Sequence, residues 1–274
     1  MTSPLRTLAL RTLPLRTLPL RTLVLVLVLV LSLSLGSCAE GKNLARRPGQ
    51  VPAYVPGEVS DAEPLVGPPP ESLRPLYPWL EGRAEVRLTT SNGHTLLVEV
   101  YGDHAPLTAG NFVDLVNRGY YNGTPLIVDE RFILRAAAEP FIDPTTGQER
   151  RLPLEIQPEG ASQPIYGRTF AEAGLPVNAL PVLKNSYRGA LALSHPEGEA
   201  NTGSARFFIS YGNGEVIPYD GNALDGFYSV FGYVIDGVKY GDPDEPLQRI
   251  QNGEKIVKAE VVAGLENLHL PGET

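Results

Sequence analysis

The chain has 274 residues, enough for one medium domain with extensions, and it carries 28 Gly and 26 Pro but only 20% charged residues. That composition suits a loop-rich β domain better than a helical one. The formal charge is −8, and residues 1–37 hold four arginines and no acid, so the remainder sets 19 basic residues against 31 acidic ones. An acidic chain without a basic stripe argues against nucleic acid as a partner, and against anionic lipid as a partner of the folded part.

Residues 4–23 repeat Pro-Leu-Arg-Thr-Leu with one Ala-Leu-Arg-Thr-Leu. A period of five fits neither helix nor strand, and the prolines break a continuous helix. The segment reads as a long basic leader carrying Arg6, Arg11, Arg16 and Arg21. Leu23 to Leu35 then run without a charge for thirteen residues, a signal-peptide length and short of the ~20 needed to span a bilayer. Leu35-Gly36-Ser37-Cys38 follows. Small residues before the only cysteine resemble a bacterial lipoprotein box, in which the cysteine is lipidated and becomes the mature N-terminus. An uncleaved anchor is the alternative. Either way the globular part is expected to be exported and tethered. A lone cysteine also excludes an internal disulfide.

Residues 38–80 are proline-rich, with three prolines in a row at 68–70. Polyproline II and a semi-rigid linker are expected, with Tyr77 and Trp79 docking on the domain or marking its edge. The domain is placed at 81–268, with a tail at 269–274. Ala84, Val86 and Leu88 alternate with charged residues, Asn92-Gly93 signals a two-residue turn, and Leu96, Val98 and Val100 alternate again. This predicts a β-hairpin. A helix over 107–118 follows, with Asp103 or His104 as cap, Pro106 in its first turn and Gly119 as its stop. Ala109, Phe112, Val113 and Val116 form its core stripe.

These segments resemble the cyclophilin hallmark. Ala105-Pro106-Leu107-Thr108, Asn111-Phe112 and Gly119-Tyr120-Tyr121-Asn122-Gly123 match its helix and the loop after it. Ile165-Tyr166-Gly167 with Phe170 and Glu172, residues 189–193, residues 202–210, Leu224-Asp225-Gly226 and residues 230–234 match later motifs in order. Phe141-Ile142-Asp143-Pro144 and residues 152–156 resemble the divergent cyclophilins of the thylakoid lumen and their cyanobacterial relatives. The resemblance implies a mainly β fold: an eight-stranded antiparallel barrel capped by two helices, preceded here by a signal segment and a Pro-rich linker. It also implies peptidyl-prolyl cis–trans isomerisation, without metal or cofactor. The insert at 139–188 is expected to be an ordered loop with a short strand at residues 152–156, packed beside the pocket, because Leu152, Leu154 and Ile156 recur at period two.

Turning an X–Pro bond breaks amide conjugation against a barrier of roughly 20 kcal/mol. A donor aimed at the twisted prolyl nitrogen stabilises the transition state selectively. The family uses the arginine of Phe-His-Arg. The aligned residues here are Leu126-Ile127-Val128, with Val128 in the arginine position and Ile127 in the histidine position. Neither side chain donates a hydrogen bond. Two family glutamines are replaced by Arg135 and Arg206, which are therefore the candidate catalytic residues. By resemblance the proline pocket is Phe132, Ile133, Phe208, Leu193, Leu224 and Tyr228, with His195 nearby. The four histidines show no metal spacing.

The expected activity is a weak cyclophilin-type isomerase acting on proline-containing segments of client proteins. It would be tethered to a membrane through Cys38, at a periplasmic face or in a thylakoid lumen. The alternative is a non-catalytic proline-peptide binder, a chaperone or assembly scaffold at a photosynthetic membrane.

Overall fold

A computed structural model describes residues 65–129, 133–211, 224–239 and 242–272. The leader, Cys38 and most of the linker lie outside these residues, as does Phe132.

The predicted hairpin forms from β2 (Arg83–Thr90) and β3 (Thr95–Tyr101), paired from Arg83↔Tyr101 to Thr89↔Thr95. In β2, Ala84, Val86, Leu88 and Thr90 are buried while the residues between them are not, the signature of one face on a core. The turn is longer than the two residues expected. Thr90 N–H bonds to His94 O at 2.8 Å, so residues 91–93 form the loop. Gly93 supplies its left-handed residue at φ +84°.

Six further strands complete the sheet: β4 (Leu126–Asp129), β5 (Ile133–Ala136), β8 (Ala190–Leu193), β9 (Phe207–Ser210), β10 (Val230–Asp236) and β11 (Ile256–Ala263). Their order is β11-β2-β3-β10-β8-β9-β5-β4, antiparallel throughout. The sheet curls until its edges meet. Pro125 bridges Lys255, and Leu126 N–H donates to Glu254 O at 2.6 Å. This is the expected eight-stranded antiparallel sheet with two helices, α1 (Pro106–Asn117) and the single turn α2 (Pro246–Arg249).

Helix α1 is buried from Pro106 to Val116, not along one stripe alone. The sheet covers one side through Phe112, whose ring lies 5.3 Å from Phe207 and 5.2 Å from Phe231. Its C-terminus closes as read, with Gly119 N–H on Val116 O, Tyr120 N–H on Leu115 O, and Gly119 at φ +68°. Its N-terminus differs from expectation. Ala105 is the cap residue and has no capping side chain. Asp103 is instead paired with Arg83 at 2.8 Å, and His104 Nδ1 lies 2.7 Å from Gln157 Oε1. The cap comes from the insert. Glu155 accepts the N–H groups of Leu107 (3.1 Å) and Thr108 (2.8 Å) and the Thr108 hydroxyl (2.7 Å). A carboxylate here satisfies orphan amides and meets the positive end of the helix.

Residues 65–80, read as the end of the linker, lie against the domain. Val66 N–H bonds to Asp103 O, and β1 (Trp79–Leu80) pairs with β12 (Leu268–His269), Trp79 stacking on His269 at 3.9 Å. Gly110 makes this contact possible, because a Cβ there would sit 2.3 Å from Trp79 Cα. Gly110→Ala should therefore displace β1 or strain α1, lowering stability by about 1–3 kcal/mol despite the helix-favouring residue. Chemical unfolding of the variant checks this. A stabilised variant would show that β1 does not rest on the helix.

The insert is ordered but carries less strand than expected. Of residues 152–156 only Glu155–Ile156 (β6) form a strand, paired with Ile165–Tyr166 (β7). Leu152 bridges Gly203 instead, and Leu152, Leu154 and Ile156 are all buried. Arg150 ties the loop at 141–150 to α1. Its guanidinium is buried between Asp114 (2.6 Å), Asn111 (3.1 Å) and Asp143 (3.2 Å), and covers the Phe141 ring at 4.5 Å.

Candidate active site

Strand parity decides which side chains share a surface. Across β4, β5 and β9, Leu126, Ala136 and Phe207 point to the core, as do Val128 and Leu134. The opposite face carries Ile127, Arg135 and Phe208, since Ile127 pairs with Arg135 and Arg135 with Phe208. Ile133 and Asp129 share that face. Ile127 is 39% exposed, whereas Val128 packs against the core and its N–H is held by Asn252 Oδ1 at 3.1 Å.

A residue supported by the side chain at 135 must lie on its face. That residue is Ile127, one before the aligned Val128. The substitution is apolar in either register.

A cleft of about 570 Å³ opens on this face. Ile127, Arg135, Arg206 and His195 line it, and the insert builds another wall from Glu139, Pro140, Glu149 and Arg151. The two candidate arginines are thus brought together. Arg206 donates from Nε to Ala138 O at 2.8 Å, and among the described residues its carboxylate neighbour is Glu139, 3.8 Å away. Arg135 is paired with Asp129 at 3.3 Å. Both side chains are about half exposed, 54% and 49%.

Beside the cleft lies an aromatic group. Phe208 meets the Tyr228 ring edge-on at 5.4 Å, and Tyr228 stacks on His195 at 4.4 Å. The His195 ring also lies 2.9 Å from Phe227 O and 2.9 Å from Pro196 O, so it braces the loop after β8 against the loop before β10. Among the described pocket candidates Phe208 is buried against Tyr228, while Tyr228, Leu224 and Ile133 are partly exposed. Leu193 is not among them. It pairs with Phe207, faces the core side and packs over Gly203, where a Cβ would approach it to 2.5 Å.

The loop carrying Leu224 and Tyr228 is fixed by Asp225, which accepts Asn185 N–H at 2.8 Å. Asp225 and Glu155 lie in matched motifs, but neither role was readable from the sequence. Their partners lie 40 and 47–48 residues away, so no local spacing marks them. Burial pushes the Asp225 carboxyl up to about 6, against hydrogen bonds from Asn185 and the charge of Lys184. Burial likewise pushes Glu155 up to about 7, outweighing its hydrogen bonds from Thr108 and Leu107.

Both acids bind protons more tightly folded than unfolded. Their stabilising contribution is complete below about pH 4 and is lost as pH rises through 6 and 7. Acids shifted down, such as Asp143 and Glu254, act only at lower pH. The domain should therefore be more stable at pH 5.5 than at pH 8, by on the order of 2 kcal/mol. Urea unfolding at the two pH values measures this. Asp225→Asn should shrink the difference, and equal stabilities in the native chain would refute it.

The description "Cyclophilin type peptidyl-prolyl cis-trans isomerase/CLD" matches residues 85–261. The chain belongs to the cyclophilin family. A Synechocystis protein named for the thylakoid lumen and for peptidyl-prolyl cis-trans isomerisation is 45% identical over 205 residues, covering 73% of this cyclophilin and 52% of its own length. The chloroplastic peptidyl-prolyl cis-trans isomerase CYP38 of Arabidopsis thaliana is 36% identical over 214 residues, covering 74% of this chain and 47% of its own. The chain thus spans about half the length of these curated relatives. A solved cyclophilin structure from Cryptosporidium parvum aligns at 23% identity and TM-score 0.44, covering 66% of this chain and 98% of that one.

Proposed function

We propose that this cyclophilin isomerises X–Pro bonds of client proteins, weakly, as an exported protein tethered through Cys38. The observation that carries the activity is the shared face. Arg135 and Arg206 line one cleft, and Arg135 pairs across the sheet with Phe208, whose ring packs on Tyr228, where a proline ring can rest. Ile127 leaves the usual donor position empty of hydrogen-bonding groups, so Arg206 and Arg135 are the donors available to the bond. Relatives named for the thylakoid lumen and the chloroplast support a lumenal location.

Protease-coupled turnover of a short X–Pro peptide, measured with peptide affinity on the same variants, tests the activity. One observation favours a second reading, a proline-peptide binder that acts as a chaperone or scaffold. Ile127 extends the apolar surface into the cleft. Binding without turnover supports that reading.

The tether rests on the thirteen-residue apolar run that ends in Leu-Gly-Ser-Cys. Cys38→Ala should release the domain from membranes or leave it as precursor. Mature membrane protein beginning upstream of residue 38 would refute lipidation.

A further inference from the structure

The cleft holds more charge than a proline site needs, and its charges are unevenly occupied. Arg151 is spent on Glu149, which it meets through Nη2 at 2.7 Å and Nε at 2.8 Å. Among the described residues Arg206 is not spent in this way. Its Nε anchors on the Ala138 carbonyl, which fixes the plane of the guanidinium, while Glu139 stands beyond hydrogen-bond distance and is 86% exposed. Arg135 meets Asp129 with a single 3.3 Å contact. A guanidinium with a fixed plane and an open edge is suited to accept a carboxylate through two parallel bonds.

Position gives these arginines their meaning. Arg135 lies directly across from Phe208. Arg206 is two residues before Phe208, and in extended chain residues i and i+2 share a face about 6–7 Å apart. A peptide lying along this face with its proline on the Tyr228 surface thus carries its adjoining side chains past the arginines.

We propose that the cleft reads an acidic side chain one or two residues from the proline, with Arg206 as its first ligand and Arg135 as its second. This rests on the proline-site reading and names the peptide class that the site prefers. Glu139, Glu149 and Glu199 also line the cleft, so its formal charge balances. The preference therefore comes from contact and not from long-range attraction. It should appear in the dissociation rate more than in the association rate. Because both arginine side chains are about half exposed, the gain is a roughly three- to tenfold preference for Glu over Gln at the reading position.

The test uses the full chain and labelled peptides with one proline and Glu, Gln or Lys at each of the two positions on either side. A matched set replaces proline by alanine. Support is a Glu preference at one position, confined to the proline set, that collapses toward one in Arg206→Gln and turns toward Lys in Arg206→Glu. If proline peptides bind better than alanine peptides but Glu and Gln bind alike, or Lys binds best, the acidic preference is wrong and the proline site stands. If proline and alanine peptides bind alike, the proline-site reading fails and this proposal falls with it.

Discussion

Ile127→Arg is expected to raise isomerase turnover by about 10- to 100-fold. One preorganised donor to a developing charge is worth ~100–1,000-fold in other enzymes, and the lower range applies where solvent reaches the group. The side chain at 127 lines the cleft and faces Arg135 across the strand pair. A guanidinium placed there would reach the surface on which Arg135 and Tyr228 lie. It would stand near two like charges, so its full benefit needs Arg135→Gln in the same chain. The control is Val128→Arg, the change that the family motif suggests on alignment alone. Val128 packs on the core side of β4, so an arginine there loses stability through burial of an unpaired charge and should not raise turnover. Turnover raised by Val128→Arg and not by Ile127→Arg would show that strand parity has been misassigned.

The barrel was legible in sequence because its signals are local. Alternation in β2 and β3, the stop at Gly119 and the ordered motifs at 189–193 and 230–234 each reflect the geometry of a few neighbouring residues. Other features depend on distant partners. The α1 cap was sought at Asp103 or His104, the nearest polar residues, yet the carboxylate comes from Glu155, fixed there by the fold of the insert. Gly110 has its role only through the approach of Trp79, a distant partner that no local pattern marks.

In the site, one-residue precision was the limit. Ile127 and Val128 are equally plausible in a motif, but a shift of one flips every side chain to the other face. Leu193 was placed on the pocket wall by resemblance, while its pairing with Phe207 turns it toward the core side. Arg135 and Arg206 come from separate motifs 71 residues apart in sequence, yet they share one cleft because β5 pairs with β9.

Arg135→Ala with Arg206→Ala should lower turnover by about 100-fold relative to the native chain, while affinity for a neutral proline peptide falls by only a few-fold. The two measurements separate because the apolar seat on Tyr228, Leu224 and Ile133 does not include either arginine. Arg206→Ala should account for most of the loss. Its guanidinium is already oriented by the Ala138 carbonyl, so little order is lost when it meets the twisted bond. Arg135 first has to give up part of its contact with Asp129. Both side chains are half exposed and outside the core, so the double variant should unfold close to the native midpoint and the comparison stays one of folded proteins. Undiminished turnover in the double variant would remove the arginines from the chemistry. Absence of turnover in the native chain and in Ile127→Arg, with proline-peptide binding intact in both, would instead make this cyclophilin a holder of proline segments, in which the cleft serves recognition alone.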